Sequence, residues 1–359
     1  MKPLKYKEIM PRVAIEKLKL IEIDDLVGLI NKDLEFIRCF LRESPYQDEI
    51  LKIKDEIDSV SLEEALLENY VKTFKKLIKF SVGDIRSVLL AVLKKFEVSN
   101  VKAMLRAVKA KMDVDEATKH IIPVGALDKN KCRAILTGSE SIEDVINSLL
   151  DLEYGLITKD VLNEHERIED LLPLEVALDK VMYRGIWNSV EKLRGLDKIV
   201  AKGVLGIEMD AINVKIVLRY KVMGVSQDQI KDYLMPTSLI DEETLEKAIE
   251  ATNVKSAIEF ILSVAENAKN PFYQNIFTQL LKECDAPLSR LEAILDKASL
   301  KMSLYMLKKY TRYYSIGFIL AFLNLKWFEV KNLRCIIKGA ERKSPPIQVR
   351  KLLALPGEL

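Results

Sequence analysis

The chain has 359 residues, and its 56 lysines and arginines nearly balance 54 aspartates and glutamates, for a net charge of +2. This balance argues against a dedicated nucleic-acid binder, which needs an excess of cations on one face. A hydrophobic content of 49% excludes intrinsic disorder. Only 13 glycines and 11 prolines interrupt the chain, which favours long helices. At about 100–200 residues per domain, two or three compact units are expected.

Helical signals follow one another along the chain. Ser61–Glu64 has the spacing of a capping box and predicts a helix that runs to Phe80, and Ser81–Asp84 predicts another through Lys95. Ser141–Asp144 and Ser289–Glu292 repeat the capping signal. Apolar residues recur every three or four positions in the first helix, at Leu62, Leu66, Tyr70, Phe74, Leu77 and Phe80. Strand patterns are short and isolated, so we predict an all-α fold.

A threefold internal repeat emerges from a comparison of distant segments. Residues 93–106 and 325–338 are identical at six of fourteen positions, and residues 210–219 form a looser third copy. In each copy an acid stands three residues before an asparagine, and cations stand two and six residues after it. The acids are Glu97, Asp210 and Glu329; the asparagines are Asn100, Asn213 and Asn332; the cations are Lys102 and Arg106, Lys215 and Arg219, and Arg334 and Lys338.

The copies extend beyond these segments. A leucine-glutamate motif precedes each asparagine, at 62–66, 174–178 and 291–295, and a tyrosine lies further upstream, at Tyr46, Tyr154 and Tyr273. Asp128 and Asp241 each follow their asparagine by 28 residues. Because several elements recur in the same order, we predict three helical repeats, over 1–112, 113–224 and 225–359.

The repeated asparagines have a structural and a functional interpretation. Apolar neighbours predict that each is buried near a helix start, where its amide bonds the backbone of the preceding loop. The acid three residues earlier then lies at the helix N-terminus, where the macrodipole favours it. In the functional interpretation, the three asparagine corners touch a partner. The cations either pair with acids inside the domain or face inward and meet an acidic partner.

No catalytic, cofactor or metal site is predicted. The sequence lacks a Gly-x-x-x-x-Gly-Lys-Ser/Thr loop and a His-Glu-x-x-His motif. His120 is expected to be a packed histidine, and His165 a solvated one. Lys72 to Lys79 is expected to be a solvated face. The cysteines show no C-x-x-C spacing and are expected to be reduced and buried: Cys39, Cys132, Cys284 and Cys335.

Membrane insertion is not expected. The N-terminus lacks the apolar segment of a secretory signal. The longest uncharged apolar run, Tyr313 to Leu325, is shorter than the roughly 20 residues that span a bilayer.

Several segments carry a resemblance to a known family. They are residues 98–106, 208–219, 313–323 and 328–334, with a looser match at Arg12-Val13 and 17–20. Through them the chain resembles the C subunit of the archaeal and bacterial A-type ATP synthase, the counterpart of the d subunit of the eukaryotic V-ATPase. The sequence departs from the family pattern at Lys7–Pro11, which puts the first helix in doubt.

The resemblance implies an all-helical funnel of three similar domains around a pseudo-threefold axis. It implies a non-catalytic rotor subunit, peripheral on the cytoplasmic face of the membrane, which couples proton or sodium transport to ATP synthesis. Its partners would be the rotor-ring proteolipid and the central stalk of the ATPase head, with no cofactor and no nucleic acid. Arg106, Arg219 and Lys338 would be candidate stalk contacts. A helical-repeat scaffold that binds proteins or peptides is the alternative from the residues.

Overall fold

The computed structural model describes residues 4–53, 58–119, 121–152, 161–162, 171–267, 271–310 and 314–355. The structure is 76% helical. The β structure within the described ranges is a single bridge between Val124 and Leu127. The prediction of an all-α fold is therefore confirmed.

The first half of the chain is built from short helices around two long ones. After a 3-10 turn at Leu4–Tyr6, the helices are α1 (Ile9–Leu18), α2 (Ile23–Gly28), α3 (Leu34–Arg42), α4 (Gln47–Ile50), α5 (Ser59–Lys79), α6 (Gly83–Lys109), α7 (Val114–Thr118), α8 (Lys129–Thr137) and α9 (Ile142–Asn147).

The second half repeats this mixture of short and long helices. They are α10 (Leu172–Glu191), α11 (Leu196–Met223), α12 (Gln227–Asp232), α13 (Glu242–Glu250), α14 (Val254–Asn267), α15 (Pro271–Lys282), α16 (Leu288–Tyr310), α17 (Ile316–Glu341) and α18 (Pro346–Leu352).

The chain forms two compact units. Unit 1 comprises residues 1–189 and 326–353, and unit 2 comprises residues 190–325 and 354–359. Helix α17 therefore begins in unit 2 and ends in unit 1. Unit 1 is thus completed by residues near the C-terminus, and the first 189 residues form only part of it.

Helix α5 begins earlier than its sequence signal indicates. Its N-cap is Asp58, whose carboxylate accepts a hydrogen bond from the Ser61 backbone N–H at 2.6 Å, so the predicted capping box at Ser61 is wrong. An aspartate accepts this bond as well as a serine does. The predicted apolar stripe is buried from Leu62 to Leu77, while Phe80 is half-buried at the helix end.

Helix α6 is much longer than predicted. It runs through Lys109 instead of ending at Lys95. No glycine or proline occurs between Gly83 and Pro123, so the sequence holds no helix breaker in this stretch. As a result, Asn100 lies in the middle of a helix.

The other two capping signals differ in outcome. Ser141 and Asp144 form the predicted capping box at the start of α9, with both reciprocal hydrogen bonds present. The signal at Ser289 is wrong, because α16 begins one residue earlier, at Leu288, directly after Pro287.

The core of unit 1 holds an aromatic cluster. Trp327 of α17 packs against Tyr70 of α5 and Phe96 of α6, with ring centroids 5.3 and 5.2 Å away. In unit 2, α11 packs along α16, and Gly203 of α11 approaches Met306 so closely that a β-carbon would overlap the methionine methyl group.

The cysteines are all free, but they are not all buried. Cys39 is exposed on α3, which contradicts the expectation of a buried thiol. Cys132 is buried, and burial raises the pKa of its thiol to about 12, so it is protonated at neutral pH.

The lysines of α5 from Lys72 to Lys79 are exposed, as predicted, and two of them form ion pairs. Lys72 pairs with Asp48 and Glu49, each at 2.9 Å, and Lys76 pairs with Glu16 at 2.7 Å. Among the described helices, none is both long and apolar enough to cross a membrane.

Candidate functional site

Asn100 connects α6 to the loop that follows α7. Its amide nitrogen donates to the backbone oxygens of Ile122 and Leu127 at 2.7 and 3.0 Å, and its Oδ1 accepts from the Ile122 N–H at 2.9 Å. The side chain is buried, with 1% of the residue exposed. Its amide therefore satisfies both backbone groups of Ile122 inside the core.

Asn213 does the same in α11. Its Oδ1 accepts from the Met235 N–H at 2.7 Å, and its Nδ2 donates to the Met235 oxygen at 3.1 Å. Ile122 and Met235 each lie 22 residues after their asparagine. Two copies of the repeat thus share the same amide–backbone contact.

Asn332 is also buried, in the middle of α17. The sequence predicts all three asparagines near helix starts, bonded to a preceding loop. That expectation is wrong: all three are mid-helix, and Asn100 and Asn213 bond a loop that comes later in the chain. The three asparagines are buried, as the sequence predicts. An asparagine beside an apolar run does not, however, by itself mark the start of a helix.

Two of the three acids that stand three residues before the asparagines accept hydrogen bonds from the same following loops. Glu97 Oε1 accepts from the Ala126 N–H at 2.9 Å. Asp210 accepts from the N–H groups of Ser238 and Leu239, both at 3.0 Å. Since these acids lie within helices, they do not cap the helix N-termini as predicted; they hold loop backbone instead.

Two of the three acids, Asp210 and Glu329, accept a hydrogen bond from the repeat tyrosine of another copy. The Tyr273 hydroxyl donates to Asp210 Oδ2 at 2.8 Å, and the Tyr46 hydroxyl donates to Glu329 Oε1 at 2.7 Å. The sequence marks these tyrosines as repeat elements but does not reveal that they are donors. Tyr154, the marker in the second copy, lies outside the described residues.

Burial shifts the acid–base properties of these pairs. Burial raises the pKa of Asp210 to about 6, against the lowering effect of its hydrogen bonds from Tyr273 and the loop backbone. Burial and the neighbouring carboxylates raise the pKa of Tyr46 and Tyr273 well above 10, so both hydroxyls remain donors.

The cations six residues after each asparagine all form ion pairs. Arg106 binds Glu175 through two nitrogens, at 2.7 and 2.6 Å, and Arg219 binds Glu292 at 2.9 and 2.6 Å. Lys338 lies 3.1 Å from Glu63. Each acid is the glutamate of a leucine-glutamate motif, so the three pairs are equivalent in the repeat. The hydrogen bond that Arg106 donates to Glu175 raises the pKa of Arg106 further.

The cations two residues after the asparagines reinforce these pairs. Lys102 binds Asp179 at 2.6 Å, and Lys215 binds Asp296. Arg334 binds Glu63 at 2.8 Å. Burial raises the pKa of Asp179, and the lowering pull of Lys102 does not reverse that shift. These cations pair with acids of the same chain, but each acid belongs to another copy of the repeat and not to the cation's own domain, as the first of the two roles had it.

The partners follow a regular order along the chain. Helix α6 binds α10, α11 binds α16, and α17 binds α5, each through the same two positions after its asparagine. Exposed ion pairs of this kind stabilise a fold by about 0–1 kcal/mol each. The side chains of Arg106, Arg219 and Lys338 nevertheless remain 63%, 51% and 39% exposed.

The loops that follow the helices of Asn100 and Asn213 each end in an aspartate that caps the next helix. Asp128 caps α8 by accepting from the Lys131 N–H, and Asp241 caps α13 by accepting from the Thr244 N–H, both at 2.9 Å. The spacing of these aspartates identifies them as equivalent, and the structure gives them the same capping role.

No grouping of three or more histidine, cysteine or acidic side chains suited to a metal ion occurs among the described residues. His120 and His165 lie outside those residues. The polar groups described above bind other groups of the chain, in a pattern repeated between long helices.

These features define an all-α protein whose long helices carry recurring buried amides, buried acids and inter-helix ion pairs. Residues 9–352 match the family described as ATP synthase (C/AC39) subunit, and the chain belongs to that family.

Curated relatives extend over most of the chain. One from Methanocaldococcus jannaschii is 24% identical over 352 residues, covering 97% of this chain and 86% of the relative. Another, from Methanococcoides burtonii, is 28% identical and covers 93% of this chain and 90% of the relative. Both are named as the C subunit of an A-type ATP synthase. These matches confirm the resemblance found in the sequence.

Proposed function

We propose that this chain is a non-catalytic rotor subunit of an A-type ATP synthase, which couples the membrane rotor ring to the central stalk of the ATPase head. The observation that carries the proposal is the family match over residues 9–352, together with relatives named as C subunits of A-type ATP synthases. The ion moved would be a proton or sodium ion, and the protein would sit peripherally on the cytoplasmic face of the membrane.

The repeated contacts support a funnel of three similar domains, over 1–112, 113–224 and 225–359. Asn100 and Asn213 hold equivalent loops, and Asp210 and Glu329 bind equivalent tyrosines. The ion pairs link the first copy to the second, the second to the third, and the third to the first. A cyclic order of equivalent contacts is what a pseudo-threefold arrangement requires.

A coupling protein has to transmit torque without unfolding. Buried side chains that bond loop backbone fix the loops to the long helices, and ion pairs fix the long helices to each other. We propose that the exposed portions of Arg106, Arg219 and Lys338 also contact the central stalk. Their side chains remain partly exposed while they hold their own acids.

The test is recovery of the complex with a tagged copy of the full chain. The chain is expressed in cells that lack the native gene, membranes are solubilised in mild detergent, and bound proteins are identified by mass spectrometry. We expect the ATPase head subunits and the rotor-ring proteolipid together. Cells lacking the chain should keep ATP hydrolysis by the head but lose ATP-driven ion pumping. Recovery of neither component, with pumping unchanged, would refute the proposal.

A further inference from the structure

A buried group of polar side chains lies where α17 meets the N-terminal part of unit 1. Lys326 and Glu329 have side chains only 5% and 4% exposed, and their charged atoms are 2.7 Å apart. The Tyr46 hydroxyl donates to Glu329 Oε1 at 2.7 Å, and the Lys326 ammonium lies 4.0 Å from the centre of the Tyr46 ring. We call Tyr46, Lys326 and Glu329 the clasp.

The clasp also holds the chain ahead of α2. The Ile21 backbone N–H donates to Glu329 Oε2 at 2.6 Å. Glu329 thus binds two separate N-terminal segments, one at Ile21 and one at Tyr46, and takes its counter-charge from its own helix. A buried carboxylate with three donors is well satisfied, and removal of the cation alone would leave its charge uncompensated.

The equivalent position in unit 2 is built differently. Asp210 binds Tyr273 and two backbone N–H groups there. Six residues before Asn213, at the position that corresponds to Lys326, stands the buried apolar residue Ile207. A buried ammonium is therefore a feature of the third copy that the second copy lacks.

The ion pairs of the three copies differ in the length of chain that joins their partners. Arg106 and Glu175 are 69 positions apart, and Arg219 and Glu292 are 73 apart, so a moderate length of chain joins the helices of each pair. Arg334 and Glu63 are 271 positions apart. The contact of α17 with α5 and the N-terminal helices thus depends on non-covalent bonds between distant parts of the chain, and the clasp is the buried polar part of that contact, beside the apolar packing of Trp327 on Tyr70.

We propose that the clasp opens locally. When it is formed, it holds residues 326–353 against residues 4–53. When it opens, these two segments are released while unit 2 stays folded. The segments it joins are the first and last parts of unit 1. The clasp can form only after α17 has been synthesised, since two of its three residues lie in that helix. This inference concerns the isolated chain and stands apart from the function proposed above.

Hydrogen exchange of the full chain, resolved by mass spectrometry, tests the proposal. Lys326→Met keeps the length of the side chain and removes its charge. We expect exchange in the peptides of 4–53 and 326–341 to become faster by about tenfold or more, the factor for loss of a hydrogen bond to a charged group. Exchange in residues 196–223 and 288–310 should not change. Lys331→Met is the matched control, because Lys331 is exposed on the same helix.

A milder pair of variants covers the case in which Lys326→Met does not fold. Tyr46→Phe and Tyr273→Phe each remove one hydroxyl from equivalent tyrosine–carboxylate bonds. The first should accelerate exchange in 4–53 and 326–341 only, and the second should leave those peptides unchanged. An equal acceleration throughout the chain in Tyr46→Phe, or none at all, would overturn the proposal.

Discussion

Asn213 and Met235 bond each other twice, through the amide oxygen to the Met235 N–H at 2.7 Å and through the amide nitrogen to the Met235 oxygen at 3.1 Å. This closed pair of hydrogen bonds attaches the loop after α12 to the centre of α11. Ile122 is attached to Asn100 in the same manner in unit 1. In each case the asparagine joins the loop to the middle of the long helix.

Replacement of Asn213 by leucine should destabilise unit 2. The volume is similar, but both backbone groups of Met235 lose their partner, and each buried unpaired group costs about 1–3 kcal/mol. The free energy of unfolding, measured in urea, should fall accordingly. Asn147→Leu, at an exposed position of α9, is the control and should change it little. Equal stability of Asn213→Leu and the native chain would rule out a structural role for this amide.

Replacement of Gly125 by alanine should disrupt the loop that Glu97 holds. Gly125 has φ +60°, and a β-carbon there would overlap Glu97 Oε1, so the carboxylate must leave the Ala126 N–H. The expected loss is about 1–3 kcal/mol for the unpaired group, in addition to about 1 kcal/mol for the left-handed backbone.

The two contributions at Gly125 can be separated with a second glycine. Gly83 has φ +53°, and nothing lies within 4 Å of a β-carbon built on it. Gly83→Ala should therefore incur only the backbone cost of about 1 kcal/mol. If thermal unfolding shows the same loss for both variants, the contact with Glu97 contributes nothing.

The stability of the chain should carry a pH dependence from Asp210. Its folded pKa is about 6 and its ordinary value is 3.8, so between these values the folded chain binds a proton that the unfolded chain does not. Its contribution to the free energy of unfolding is therefore greatest below about pH 4 and falls as pH rises through 6, by about 3 kcal/mol in all.

Asp210→Asn isolates this contribution because it removes the titration and keeps the size of the side chain. The unfolding free energy of the native chain minus that of the variant, measured in urea from about pH 4 to 7, should decrease as the pH rises. A difference that is flat with pH would mean that burial does not shift the titration of the Asp210 carboxylate.

The sequence predicts a structural feature correctly where that feature depends on the spacing of residues along the chain. The apolar stripe of α5 and the capping box at Ser141 follow from local spacing, and both are present. Local reasoning misplaces Asn100, because asparagine favours helix starts while the absence of glycine and proline around it lets the helix continue. Tertiary contact decides where such an amide binds, and the bonded loop lies 22 residues away.

The sequence does not predict the partner of each repeated cation, although it contains the signal. Glu63, Glu175 and Glu292 occupy the same place in a motif that recurs at a similar distance from the asparagine. Their pairing with a cation of the preceding copy depends on how the copies meet in space, and periodicity within one copy carries no information about that.

The isolated chain should neither bind nor hydrolyse ATP. The prediction rests on the sequence, which lacks a phosphate-binding loop of the Gly-x-x-x-x-Gly-Lys-Ser/Thr kind. Calorimetric titration with magnesium ATP and a phosphate-release assay on the purified chain provide the measurement. Turnover that a point substitution in this chain abolishes would contradict it.

Charge reversal separates internal pairing from contact with the stalk. Arg106→Glu and Arg219→Glu together place like charges opposite Glu175 and Glu292, which should lower the melting temperature modestly, since exposed pairs contribute about 0–1 kcal/mol each. The compensated chain adds Glu175→Lys and Glu292→Lys, which restores both pairs with opposite polarity.

If the cations serve only the fold, the compensated chain should regain both its melting temperature and its co-purification with the stalk. If their exposed surfaces also meet an acidic stalk, as proposed, the melting temperature should recover while stalk retention stays low, because the outward charge is still reversed. Normal melting and normal assembly of the uncompensated chain would show that neither role applies.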